Sequence, residues 1–224
     1  MARRPRVIAF DVIETMFPLE PIRRRLIDAG QPGHVLELFF SRLLRDGFAL
    51  AAGGGYRPFG DVAAGALRSA TGSALDDDAA GAVLAGFAEL DPHPDVLPAV
   101  RLARDAGVRL VTLTNGSAEN TIRLLRRGGV DDDIEQVLSV DDVRRWKPAP
   151  EIYRHAVRAT GVEPGRLALV AAHAWDVHGA HRAGLATGWV ARLDDRFPDV
   201  FAAPDVVGHD LVETVEGLLE LPID

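Results

Sequence analysis

The stretch VIAFDVIETM, residues 7–16, decides the reading of the fold. Val7-Ile8-Ala9-Phe10 is a short unbroken apolar run, the pattern of a strand covered on both faces. It stops at a carboxylate, Asp11. Two further runs repeat the pattern: VRLVTLT (108–114) stops before Asn115, and LALVAA (167–172) stops before His173. A fourth, ATGWVAR (186–192), follows the third helical segment. Strands alternating with helices predict an α/β fold, a doubly wound and mainly parallel sheet. In such sheets ligands lie beyond the carboxyl ends of the strands. The residues that end the runs are therefore expected to share one edge.

About ninety residues between the first and second runs contain no comparable strand. PIRRRLIDAG (21–30), HVLELFFSRLLRDGFAL (34–50), FGDVAAGALRSATG (59–72) and LDDDAAGAVLAGF (75–87) read as helices, with Gly30 and Gly72 as C-terminal stops. The expected organisation is a core formed by residues 1–17 and 89–224, with 18–88 an inserted helical cap. DPHPDVLP (91–98) is expected to be a hinge whose prolines block helix continuation. AAGGGYRP (51–58) is a turn between helices; it lacks the lysine and the preceding strand of a phosphate loop.

Hydrophobic residues make up 47% of the 224, enough for a sizeable core. The net charge of −8 argues against nucleic acid or an anionic membrane as partner. With no cysteine, disulfides, thiolate catalysis and cysteine-bound zinc are excluded. No apolar stretch reaches membrane-spanning length, and the short N-terminal run is cut off by Asp11, so a cytoplasmic location is expected.

Chemistry is expected from a set of polar residues at or near strand ends. These are Asp11, Thr114 and Asn115 in TLTNG, Lys147 in RRWKPAPEIY, and His173 and Asp176 in AAHAWD. Alone, a strand-end aspartate is most simply a turn or helix cap; the company of the others points to one cleft. His178 and His181 lie one helical turn apart but lack a third ligand, which favours ordinary helix surface over a metal site.

The set resembles the haloacid dehalogenase superfamily over nearly the whole chain. FDVIET, TNG, KP and AWD match its four motifs in order, and the insertion stands where the family's helical cap sits. The resemblance implies a Rossmann-like core and Asp11 as a nucleophile that forms an aspartyl ester hydrolysed by water. Thr114 and Asn115 would orient Asp11 or the substrate. Lys147 would keep Asp11 ionised, and Asp176 would orient the lysine and activate the water.

Two positions separate the branches of that family. Its phosphatases carry a general-acid aspartate where Ile13 stands and a magnesium-binding aspartate where Ala172 stands. Neither residue here can do that work, so displacement at carbon is favoured: a halide leaves without a proton, and a carbon centre needs no cation. The closer resemblance is accordingly to the type II 2-haloacid dehalogenases, through Ser139-Val140-Asp141, AWD, and GGYRPF (54–59) with Tyr56 and Phe59.

That group usually has tyrosine at Ile13, glycine at Glu14 and asparagine at His173. It also binds the substrate carboxylate with a cap arginine, whose position here falls on Phe40 or Ser41. Arg42 is the nearest candidate to replace it. Glu14 is expected to turn to a backbone group or helix N-terminus. His173 is read either as a pocket residue or as a turn-satisfying one. Tyr153 is expected to line the cleft, and Trp175 and Trp189 to be packing residues.

The leading expectation is a metal-independent hydrolase, with no cofactor, that converts a short 2-haloacid or related small carboxylate to a 2-hydroxy acid. A magnesium phosphatase and a non-catalytic anion- or protein-binding module are the alternatives. Family members commonly pair through the cap, which makes a homodimer compatible with the resemblance.

Overall fold

The computed structural model describes residues 2–72 and 74–223. Its centre is a six-stranded, wholly parallel sheet in the order β3-β2-β1-β4-β5-β6. The strands are β1 (Val7–Phe10), β2 (Arg109–Thr114), β3 (Gln136–Ser139), β4 (Leu167–Ala171), β5 (Ala186–Val190) and β6 (Val206–Gly208). β1, β4 and β5 are buried at every residue, as unbroken apolar runs require. Side chains alternate across the sheet: Ile8 and Phe10 enter one hydrophobic cluster, Val7 and Ala9 the other. The first cluster is closed by α5 (Val96–Asp105) and α9 (Leu211–Leu219), the second by α7 (Pro150–Thr160) and α8 (Ala174–Arg182).

The chain leaves β1 for β2 on one side and returns to β4 on the other. The connections thus diverge at β1, which creates a crevice at its carboxyl end. Asp11 is the first residue beyond that end, and its N–H still donates to the carbonyl of Val170 at 3.0 Å.

Between β1 and α5 lie α1 (Glu20–Asp28), α2 (Val35–Ala52), α3 (Phe59–Thr71) and α4 (Asp77–Ala85). Asp76 caps α4 by accepting from the Ala79 N–H at 2.8 Å. Several contacts hold this helical segment to the core. The Trp146 indole donates to the Arg57 carbonyl at 2.9 Å and stacks on Phe59, with centroids 5.9 Å apart. The Tyr56 hydroxyl donates to Asp141. GGYRPF and Ser139-Val140-Asp141 therefore meet in space.

α2 lies tightly against the core at Gly47. A Cβ there would lie 2.4 Å from Cε3 of Trp146. Gly47→Ala must displace the indole that precedes Lys147, an overpacking that costs about 1–3 kcal/mol. We expect a clear fall in Tm together with a loss of activity, whereas Gly65→Ala in α3, which meets nothing within 4 Å and does not border the crevice at the end of β1, should lower neither. Thermal melts of the two variants check this.

Two expectations need correction. Residues 91–95 are non-helical, as the prolines predict, but the break is shorter than expected: α5 begins at Val96, with Pro98 in its first turn, where no backbone N–H is required. β3 and β6 also add two edge strands beyond the four apolar runs. No helix among the described residues is long and apolar enough to cross a membrane.

Candidate active site

Asp11, Lys147 and Asp176 form one buried ionic chain. Lys147 Nζ donates to Asp11 Oδ1 at 2.9 Å and to Asp176 Oδ2 at 2.7 Å. Lys147 and Asp176 are completely buried, and Asp11 is 5% exposed. An ammonium so buried is tolerable only because two carboxylates enclose it. Burial alone would lower the lysine pKa, but the two anions outweigh it and raise it above its usual value.

A second cation stands on the far side of Asp11. His173 Nδ1 lies 3.2 Å from Asp11 Oδ2, and Nε2 lies 3.0 Å from Glu14 Oε2. Burial opposes charge on the imidazole, yet hydrogen bonds to the two carboxylates push its pKa up to about 10. Burial likewise acts to raise the Asp11 pKa. Lys147, His173 and the Thr15 hydroxyl overcome it and hold this carboxyl well below the usual carboxylate range. The Asp176 pKa is raised, chiefly by burial, with Lys147 opposing.

Thr15 is a residue the sequence reading missed. Its hydroxyl donates to Asp11 Oδ2 at 2.7 Å and accepts from the Ala172 N–H at 2.9 Å. The signal was its place four residues after Asp11 within FDVIET, where the turn brings it back beneath the carboxylate.

The strand ends supply the rest. The Thr114 hydroxyl accepts from the Gly116 N–H at 2.9 Å and shapes the turn after β2. Asn115 Oδ1 accepts from the Lys147 backbone N–H at 3.0 Å, which orients the lysine loop. Ser139 ties the same turn to β3, its hydroxyl donating to the Gly116 carbonyl at 2.7 Å.

Over Asp11 is a narrow cleft of ≈ 20 Å³, walled by Ile13, Phe40, Leu44, Phe59, Asn115 and Trp175 among others. It shares Ile13, Phe59, Thr114 and Gly116 with a larger apolar cavity of ≈ 230 Å³, which continues past Ala63, Leu84 and Phe87 to the start of α6 (Ala118–Gly128). The cleft thus joins a strongly anionic atom to an apolar chamber.

Several expected site residues sit elsewhere. Arg42 does not face the cleft: Phe40 and Leu44, one helical turn apart, do, and Arg42 points away between them. Its guanidinium donates to the Ser69 carbonyl and hydroxyl, joining α2 to α3. Tyr153 does not line the cleft either. It is wholly buried, and its hydroxyl donates to Asp176 Oδ1 at 2.6 Å. Glu14 turns to His173 rather than to a backbone group. Trp175 does more than pack, since it forms a cleft wall, while Trp189 donates to the Ala172 carbonyl at 2.9 Å. His178 accepts from the Ala202 N–H at 3.1 Å.

A magnesium ion does not fit this donor set. Both Asp11 oxygens and both Asp176 oxygens already accept from protein donors. Ile13 and Ala172 offer no side-chain oxygen, and among the described residues no three His, Asp or Glu side chains form a group able to hold a metal.

Residues 5–184 match a family of known proteins, the haloacid dehalogenase-like hydrolases. The chain belongs to that family. As a haloacid dehalogenase-like hydrolase it is 28% identical to the haloacetate dehalogenase H-2 of Moraxella sp. (strain B), over 88% of this chain and 91% of the relative. It is 27% identical to the (S)-2-haloacid dehalogenase of Pseudomonas sp. (strain YL), over 88% of each. The crystal structure of the L-2-haloacid dehalogenase RSc1362 superposes with a TM-score of 0.90 at 29% identity, covering 97% of this chain and 99% of that one.

Proposed function

We propose that this hydrolase cleaves the carbon–halogen bond of a small 2-haloacid, with Asp11 as nucleophile, Lys147 as its charge partner and no metal. The observation that carries the reading is an aspartate kept ionised by two cations at the floor of a cleft that has an isoleucine, Ile13, where a general-acid carboxyl would stand. Asp11 attacks C2, and the halide departs with the bonding electrons. A halide is a stable anion, so the isoleucine at position 13 costs the reaction nothing. A phosphate dianion would instead approach an anionic Asp11 whose two cations are already shared with Asp176 and Glu14, with no metal ion to offset the repulsion. Water then hydrolyses the aspartyl ester to a 2-hydroxy acid.

Asp176 and Tyr153 serve below the cleft, aiming the lysine. The Asn115 amide, Ser117 and the first N–H groups of α6 are the polar surface able to receive the substrate carboxylate, since Arg42 is engaged elsewhere. The apolar chamber suits the substituent on C2. Residues 18–88 act as the cap that closes this space, because Phe40, Leu44 and Phe59 supply its roof. The similarity to haloacetate and (S)-2-haloacid dehalogenases supports the same reading.

Halide release should be measured across short 2-haloacids with a chelator present, beside a phosphate-ester panel with and without magnesium. We expect chelator-insensitive halide release and no phosphatase activity. Phosphate release that requires magnesium, without halide release, would replace this reading with the phosphatase one.

A further inference from the structure

Ester hydrolysis needs a group that takes a proton from water beside Asp11. Asp176 is poorly placed for it. It is wholly buried beneath Lys147, with one oxygen held by the lysine and the other by Tyr153. His173 is placed differently. It borders the cleft, and its Nδ1 is directed at Asp11 Oδ2, the carboxyl group that would carry the ester.

The imidazole is held in place on the sides away from the cleft. Glu14 holds Nε2 at 3.0 Å, Phe40 of α2 stacks over the ring with centroids 6.3 Å apart, and Trp175 lies 5.0 Å from it. Glu14 reaches it from a backbone with φ 64°, a left-handed conformation that a glutamate enters only against steric resistance. The charged groups facing the ring are Asp11 and Glu14, with Lys147 beyond Asp11. α2 contributes Phe40 and Leu44 to this wall of the cleft, neither of them titratable. His93 lies within electrostatic range of Glu14.

We propose that Glu14 and His173 form a carboxylate–imidazole relay in which His173 Nδ1 is the base of the water step. The proposal rests on the reading of Asp11 as nucleophile. In the resting enzyme the imidazole carries both protons between two carboxylates, as its raised pKa indicates. Ester formation breaks the carbon–halogen bond and neutralises Asp11. His173 then loses one anionic partner, and Nδ1 releases its proton to solvent, while Nε2–H continues to donate to Glu14.

Neutral Nδ1 takes a proton from water as the water oxygen adds to Cγ of Asp11. The tetrahedral adduct collapses by breaking the bond from Cγ to the substrate oxygen. That oxygen takes the remaining hydroxyl proton of the adduct. The products are a hydroxy acid, ionised Asp11 and protonated His173. One haloacid and one water give one hydroxy acid, one halide and one proton. Glu14 is a positioning residue, acting as the carboxylate does behind the histidine of a hydrolytic triad.

The test uses a 2-haloacid that the wild-type protein dehalogenates, with His173→Asn and Glu14→Gln followed by rapid quenching and intact-protein mass. Both variants should release one halide per site in a burst and then turn over about 100-fold or more slowly. Protein heavier by the substrate residue should accumulate. In the wild type, ester hydrolysis should rise with pH through one inflection. Glu14→Gln removes an anion that favours the protonated imidazole, so the inflection moves to lower pH; His173→Asn should abolish it.

NMR titration of the ligand-free protein gives a readout independent of turnover. His173 should stay protonated well above pH 7 and titrate lower in Glu14→Gln. Halide release by wild type with no ester accumulating in His173→Asn overturns the relay, as does a His173 titration unmoved by Glu14→Gln. No halide release by wild type from any 2-haloacid overturns the dehalogenase reading and the water step with it, while the titration still reports whether the pair exists.

Discussion

Lys147→Ala is expected to slow halide release by about a thousand-fold and to lower stability by about 3–5 kcal/mol. Both effects come from one atom. Nζ is the hydrogen-bonding link between Asp11 and Asp176 and the only donor to Asp11 Oδ1 among the described residues. Without it, two carboxylates are left in a site where burial already favours their neutral forms. Asp176, whose pKa is raised even with the lysine present, takes up a proton.

Asp11 keeps His173 and Thr15, so its pKa rises but its charge is not abolished at neutral pH. The residual activity should therefore lose its acidic limb at a higher pH than in the wild type. The sign follows from the depressed pKa of Asp11: the anion favoured by the lysine is lost as pH falls, and it is lost sooner once the lysine is gone. Urea melts and a kcat/KM profile against pH measure the two effects. An unchanged acidic limb would mean that Lys147 does not set the ionisation of Asp11.

Asp11→Asn is expected to remove halide release, by about 10⁴-fold or more, while leaving the fold intact. The amide has nearly the same shape, and its one oxygen can still accept from Lys147 while its NH2 faces the Thr15 hydroxyl. It cannot carry the negative charge that attacks carbon. The substitution also leaves Lys147 and His173 with one fewer anion, which lowers both their pKa values. His173, still held by Glu14, should titrate closer to neutrality. Halide assays and the His173 NMR titration examine the two consequences. Retention of more than a few per cent of wild-type turnover would exclude Asp11 as the nucleophile.

Much of the fold could be read in the sequence because its inner strands are buried on both faces. VIAF, VRLVTLT, LALVAA and ATGWV need no polar face beyond the exposed Arg109 that opens β2, so each appears as a nearly continuous apolar run. β3 and β6 escaped for the complementary reason. QVLS is four residues long with its first two half-buried, and VVG is a three-residue edge. Neither carries enough apolar residues to stand out. DPHPDVLP misled only at its end, because Pro98 was read as a breaker without regard to its place in the first turn, where it is well tolerated.

The site was legible to the extent that its residues follow strand ends. Asp11, Thr114, Asn115, Lys147 and Asp176 were grouped on that argument, and the structure places them in one cluster. Side-chain direction was not legible. Arg42 is separated from Phe40 and Leu44 by two positions each, enough to turn it to the other side of α2. The hydroxyl of Tyr153 was equally hidden: on a buried helix face it reads as packing until Asp176 is seen opposite.

The pairing of Glu14 with His173 joins residues 159 positions apart, which no local pattern encodes. Each looked like an isolated polar residue in a turn. Together they change the charge around Asp11 and make His173 a cation at neutral pH.

The central claim is that a carboxylate oxygen of Asp11 becomes the hydroxyl oxygen of the product. A single turnover in heavy-oxygen water, with protein in excess over a 2-haloacid, tests it directly by mass spectrometry of product and of the Asp11 peptide. Hydrolysis at Cγ predicts ordinary oxygen in the first-turnover hydroxy acid and one heavy oxygen in Asp11. Heavy oxygen in the first-turnover product, with Asp11 unlabelled, would show that water attacks the substrate itself and would contradict the account.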